Sequence, residues 1–346
     1  MNQNLKCKTK SGRIAVFFLV GAAVLAAAAN LSGCGTPRSD LKTLRLNEVA
    51  HSIFYAQQYV AMELGYFEDA GIQLEVQTGF GADKSATAVI SGDADIALMG
   101  PEATIYQYNE GNANYLINFG QLTQRAGNFV VSRENETDFR WEDLIGKEVI
   151  GGRPGGMPEM VFEYVLKKHN IDPHKDIHLV QNIDFANTSG AFVGGTGDYT
   201  VEFEPSATLI EEEGAGYVVA SVGTESGYVP YTAYSTTKEF LSKNKELLQS
   251  FIDAIEKGQN YVKEHSAAEV AEVIAPQFKE TDVKTIEKIV ARYAEQDSFK
   301  TTTFFGEDSF TLIQDILEEA GELEKRVPYD ELVTTEFSSE EEKNSK

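Results

Sequence analysis

The residues with the clearest capacity for chemistry are Gly151-Gly152-Arg153-Pro154-Gly155-Gly156-Met157-Pro158-Glu159. Glycines let a backbone turn sharply and approach a bound group. A proline suits the first turn of a helix, and the unpaired N–H groups there attract polar or anionic atoms. Glu148-Val149-Ile150 before the stretch reads as a strand and 160–166 after it as a helix, so the glycines mark a strand end leading into a helix start. Such a turn either meets a ligand or simply joins two elements. Its spacing lacks the Gly-Lys-Ser/Thr of a phosphate loop and fits a dinucleotide fingerprint poorly. Nucleophilic chemistry has little to draw on: there is no Gly-x-Ser-x-Gly elbow, and Cys7 and Cys34 both lie near the N-terminus. His169, His174 and His178 invite a metal, but Pro173 interrupts the helix between them and no cysteine joins the set, so no metal site and no cofactor are expected.

The elements that must position this loop alternate in type. Strands are predicted at 44–49, 72–77, 96–99 and 116–121, with helices at 54–64, 84–91 and 102–109. A second series has strands at 148–150, 177–180, 199–202 and 217–222, with helices at 158–169 and 206–213. Alternation of this kind builds mainly parallel sheets covered on both faces, so the fold class is α/β. Asn128-Phe129-Val130-Val131-Ser132 and 231–236 stand at the two ends of the second series and are expected to cross between lobes, giving a two-stranded hinge. The pattern after Thr237 is helical, over 238–263, 267–274, 282–294 and 307–319. This organises the chain as a first lobe of 43–130 plus 235–330, an inserted lobe of 131–234, and an acidic tail at 331–346 whose Glu-rich end runs from Ser338 to Lys346.

The N-terminus follows other rules. Lys6, Lys8, Lys10 and Arg13 precede an apolar run over 14–29 that ends at Leu31-Ser32-Gly33-Cys34, the layout of an export signal over 1–33. The run is shorter than the roughly 20 residues of a membrane span. Leu-Ser-Gly-Cys resembles the bacterial lipobox, which implies that Cys34 carries a lipid and that 34–42 is a tethered linker at the extracytoplasmic face of the cell membrane. Neither cysteine is then left for a disulfide. The chain carries a net charge of −24, and loss of four basic leader residues takes it to −28. A field of that sign repels nucleic acid and disfavours the steering of small anions.

His51-Ser52-Ile53-Phe54-Tyr55-Ala56, Gly65-Tyr66-Phe67, Gly71-Ile72, Ser91-Gly92-Asp93-Ala94-Asp95, Trp141-Glu142-Asp143-Leu144, the 151–156 loop and Phe203-Glu204-Pro205 occur in an order similar to that of exported substrate-binding proteins. The group resembled serves ABC importers for nitrate, sulfonate, taurine and thiamine precursors. The resemblance implies a periplasmic-binding-protein fold of type II, two α/β lobes that close on a small molecule, and a monomer that delivers it to a permease and ATPase complex.

Ligands in open α/β sheets bind beyond the carboxyl ends of the strands. His51, Phe54 and Tyr55 follow the first strand, and their rings could stack on a flat ligand. Gly79, Phe80, Gly81 and Asp83 follow the second, where Asp83 serves equally well as a helix cap; Pro101 and Glu102 follow the third, where Glu102 also suits the helix dipole. Gly152, Arg153, Gly155 and Gly156 belong to the inserted lobe, Tyr231 to the second crossing, and Glu204 to the position where the resemblance places a discriminating side chain. Arg125 and Arg153 could neutralise a glutamate or bind an anion. Two glutamates near the site favour a neutral aminopyrimidine of the thiamine-precursor kind over nitrate or a sulfonate. A pyrimidine synthase on the same fold is the competing class.

Overall fold

The computed structural model describes residues 41–338. The expected signal over 1–33, Cys34 with its expected lipid, and 339–346 lie outside the described residues. Ten strands form two sheets. They are β1 (Lys42–Glu48), β2 (Ile72–Thr78), β3 (Ile96–Met99), β4 (Leu116–Thr123), β5 (Asn128–Ser132), β6 (Glu148–Ile150), β7 (His178–Val180), β8 (Tyr199–Phe203), β9 (Tyr217–Ser221) and β10 (Thr232–Thr237).

The first sheet has the order β2-β1-β3-β10-β4 and the second β7-β6-β8-β5-β9. In each, one strand runs against its neighbours: β10 pairs antiparallel with β3 and β4, and β5 with β8 and β9. The remaining pairs are parallel, with Leu46 opposite Ile96 and Ile150 opposite Thr200. Burial explains the residue choice. The interior strand β3, Ile-Ala-Leu-Met, is buried throughout because both its faces are covered, whereas the edge strand β2 has its exposed and covered residues in alternation.

Three expectations are corrected here. The segments 128–132 and 231–236 were expected to be the crossings. Instead β5 is an interior strand of the second sheet and β10 of the first, and the chain crosses at 124–127 and 227–231. The helix expected over 238–263 is broken at Asn244 into Lys238–Lys243 and Lys245–Glu264. The tail does not start at 331: Leu332, Val333 and Phe337 are buried, Val333 bridges Asn118 on β4, and Phe337 packs edge-on to Phe119 with ring centres 6.0 Å apart. Three apolar side chains among the acids suffice to dock the segment.

The C-terminal helices bury one stripe each. Leu248, Phe251, Ile252 and Ile255 line Lys245–Glu264 at helical spacing, and Ile286, Ile289, Val290 and Tyr293 line Val283–Glu295. The former packs on the helix Ala56–Glu63, and Glu307–Ala320 packs on Met157–Lys168 of the second lobe. The C-terminal helices therefore touch both lobes. Among the described residues no helix is long and apolar enough to cross a membrane.

Candidate functional site

Loops and helices that leave the carboxyl ends of strands in the two sheets make contact with one another. Arg153, on the glycine loop after β6, lies 3.9 Å from Asp83 on the helix Ala82–Ser91 that follows β2. Tyr106 on the helix Glu102–Asn109 after β3 donates its hydroxyl to the carbonyl of Gly155 at 3.2 Å and meets Met160 Sδ at 3.4 Å. Gly152 and Gly155 have φ of 94° and 75°, the left-handed region that a side chain disfavours, and this bends the loop across the seam. Glu159, on the first turn of Met157–Lys168, accepts from Gly155 N–H and from Gln181, and so holds the loop from behind.

Behind this rim lies a buried polar group. Glu102, 3% exposed, folds its carboxyl back against Gly100, within reach of the backbone N–H of Met157 in the other lobe. Its Oε2 has no hydrogen-bond partner in the protein, and neither do the Tyr231 hydroxyl and Asn128 Oδ1. Asn128 opens β5 and reaches the same helix start through Pro158 O at 3.5 Å. Tyr231 lies in the electrostatic reach of Tyr55 and Glu102. Burial pushes the Glu102 carboxyl up to about 8, against the pull of two backbone N–H groups. Burial also raises the Tyr55 and Tyr231 phenols, with Glu102 adding to both. Buried polar atoms are rarely left unpaired, because each costs about 1–3 kcal/mol. Of the eight such atoms among the described residues, Glu102 Oε2, beside Met157 of the second lobe, marks a place that a polar molecule completes.

The other expected contacts divide. Phe80 stands at the rim, 58% exposed with φ 56°, beside Gly81, whose backbone approaches Arg153. Gly79 is required by crowding, since a Cβ there would meet Asn47 Oδ1 at 2.5 Å and Ser85 Oγ at 2.6 Å. Pro101 caps the Glu102–Asn109 helix, and Gly156 caps Met157–Lys168. Asp83 caps nothing: Gly81 is the N-cap, and the Asp83 side chain is solvent-facing.

Four expected contacts have their groups engaged within the protein. His51 gives Nδ1 to Glu48 at 2.8 Å and Nε2 to the Gln277 carbonyl at 3.0 Å, and it stacks on Phe278. The hydrogen bond to Glu48 holds the imidazole above its ordinary pKa, and both ring nitrogens are engaged. Phe54 is packed among Tyr293, Tyr231 and Phe203. Arg125 stacks on Tyr228 and donates from a terminal nitrogen to Gly223 O at the hinge, while its buried Nε has no hydrogen-bond partner in the protein. Glu204, 1% exposed, accepts from Thr208 N–H and hydroxyl, both at 2.9 Å, and from Arg292 at 2.6 Å. The discriminating role expected of Glu204 does not fit this geometry, because a distant arginine already saturates its carboxylate.

Sequence reasoning missed Asn128, Tyr106 and Gln181. A polar residue opening an apolar strand was the available signal for Asn128; the other two are recognisable only once the chain is folded. Elsewhere, His169 stacks on Trp141 and His174 lies 3.5 Å from Glu163, so these rings serve the second lobe's own packing. A cavity of about 530 Å³ beside the hinge is lined by other residues, among them Gln124, Tyr228, Lys300 and Phe304.

Comparison with known proteins follows the same lines. "Putative binding protein YtlA" of Bacillus subtilis (strain 168) is 46% identical over 298 residues, covering 86% of this chain and 89% of its own. The alkanesulfonate-binding protein SsuA of Xanthomonas axonopodis pv. citri, solved bound to MOPS, superposes with a TM-score of 0.69 at 15% identity, over 85% of this chain and 98% of that one. The desulfurization enzyme DSZB superposes at 0.59 and 14% identity, over 86% and 97%. These likenesses show the periplasmic-binding-protein fold with its two lobes. Since the NMT1/THI5-like description matches residues 54–269, more than half of the sequence, the chain belongs to the NMT1/THI5-like family.

Proposed function

We propose that this protein is an extracytoplasmic solute-binding lipoprotein that captures a small flat nitrogen heterocycle, of the thiamine-pyrimidine precursor class, and delivers it unchanged to an ABC importer. The observation that carries the substrate class is Glu102. A buried carboxyl with an unpartnered oxygen suits a ligand with N–H donors and offers a sulfonate or nitrate no counter-charge. Tyr55 and Tyr231 are buried in one aromatic cluster with Phe54, and aromatics of this kind pack on flat rings. On this reading the rim groups Phe80, Asp83 and Arg153 close over the bound molecule.

A second reading, an anion-binding protein, draws on Arg153 and on the helix N-terminus at Met157, which would attract a sulfonate. Asp83 opposes it by adding negative charge at the rim, and the buried Glu102 carboxyl offers an anion no counter-charge. An enzyme is disfavoured because His51 has both ring nitrogens engaged. A thermal-shift screen with aminopyrimidines, taurine, other sulfonates and nitrate separates the first two, since a ligand that binds only the folded state raises the midpoint. Stabilisation by aminopyrimidines is expected; stabilisation by sulfonates alone reverses the assignment. Recovery of the bound compound unaltered supports capture over catalysis. Mass analysis of the membrane-extracted protein is expected to show a diacylglycerol on Cys34, and an unmodified full-length chain ends the lipoprotein proposal.

A further inference from the structure

We infer that the cavity of about 530 Å³ beside the hinge is a second ligand site, and that it takes a small zwitterion, an α-amino acid with an apolar side chain. The inference is independent of what the seam binds.

Two glutamines of the cavity wall carry it. Gln121, near the end of β4, is 2% exposed, and Gln124 opens the first crossing. Gln121 gives its side-chain nitrogen to Thr123 O at 2.9 Å, and Gln124 gives its own to the carbonyl and Oδ1 of Asp297, both at 3.1 Å. These bonds fix which way each amide faces, since the reverse orientation would set oxygen against oxygen. Each Oε1 is left without a donor among the described residues, open to the cavity rather than sealed in the core. A few oriented polar groups in an otherwise apolar hollow are what hold a small molecule in one pose, and acceptors ask for a donor group. The acids Glu307 and Asp308, both exposed, line the same cavity and favour a charged donor. An ammonium meets both demands.

Another part of the lining asks for an anion. The 14-residue helix Glu307–Ala320 starts in the cavity with Gly306 as its N-cap, which has no side chain to bond the first N–H groups. A carboxylate suits such a start. Glu307 and Asp308 would repel a bare anion there, so the carboxylate must bring its own positive charge. Lys300, the one cation of the lining, has a partner of its own. The remaining wall is apolar: Phe304, Leu312 and the Tyr228 ring. That ring is fixed in place, because Arg125 lies over it at 4.2 Å and its hydroxyl donates to Asp297 Oδ2 at 2.8 Å. Ammonium, carboxylate and an apolar branch on one compact molecule describe an amino acid such as leucine.

The test is isothermal titration of the full-length protein with L-leucine, with 3-methylbutan-1-amine, which lacks the carboxylate, and with 4-methylpentanoate, which lacks the ammonium. Leucine is expected to bind, and each half-molecule to bind about tenfold or more weakly than leucine. Gln121→Leu removes the buried acceptor and should weaken leucine about tenfold. Because a buried strand residue risks the fold, the second variant is Leu312→Trp, which fills the cavity from a partly covered position and should abolish binding. Glu102→Gln, in the seam, should leave leucine affinity within about twofold of wild type. No heat from leucine up to about 10 mM overturns the inference, as does an amine that binds as tightly as leucine. Binding that survives Leu312→Trp and is lost in Glu102→Gln also overturns it, since the molecule then sits in the seam.

Discussion

Replacing Arg292 by alanine is expected to destabilise the protein by about 3–5 kcal/mol, because it leaves a buried carboxylate without its counter-charge. Glu204 has a fully covered side chain at the end of β8, where Arg292 reaches it from the helix Val283–Glu295 at 2.6 Å and continues to Glu211 at 2.8 Å. The same helix sends Tyr293 to the Gly127 carbonyl at 2.9 Å and to Glu204 N–H at 3.3 Å. One helix therefore secures both the start of β5 and the end of β8. A loss of that size lowers the melting midpoint by roughly 5–8 °C in a chain of this length. Restoring neutrality with Arg292→Met and Glu204→Gln together should recover most of it, since the penalty lies in the unpaired charge rather than in the lost contact. A midpoint within about 1 °C of wild type for Arg292→Ala would refute this account of the seam.

A second large effect is expected in the pH dependence of the unliganded protein. The Glu102 carboxyl sits at about 8 when folded against 4.5 as its ordinary value, so between these limits the folded chain holds a proton that the unfolded chain has released. Stability is then fully present below the ordinary value and falls as pH rises through the folded one. Burial pushes Glu202 up to about 7, and burial with the neighbouring Glu163 raises Glu159, so both add to the slope with the same sign. Glu102→Gln should leave stability near pH 5 almost unchanged and raise it by on the order of 3 kcal/mol at pH 9, where the wild-type carboxyl must ionise in place. The check is a series of melting curves from pH 5 to 9. Parallel curves for the two proteins would contradict a buried, proton-holding Glu102.

Much of the architecture was legible in the sequence because its signals are local. Short apolar runs alternating with helical stripes announce parallel strands with covering helices, and Gly151 to Gly156 announces a strand end that opens a helix. What was not legible depends on meetings between distant segments. Asn128-Phe129-Val130-Val131-Ser132 reads as a buried strand, yet nothing in its five residues says which sheet will take it. Glu102 reads as an acid suited to a helix first turn until Met157 arrives from the other lobe and Tyr231 from the hinge to bury it. Glu204 reads as a ligand contact until Arg292 occupies it. His51 similarly looks available until Glu48 and Gln277 claim its two nitrogens. In each case the side chain's chemistry was evident and its partner was not.

The most direct test of the central claim is a crystal structure of the protein grown with 4-amino-2-methylpyrimidine. The account predicts the ring in the seam between the two sheets, with its amino group on the Glu102 carboxyl. Density for the pyrimidine in the hinge cavity beside Tyr228 and Phe304, with Glu102 untouched, would contradict it.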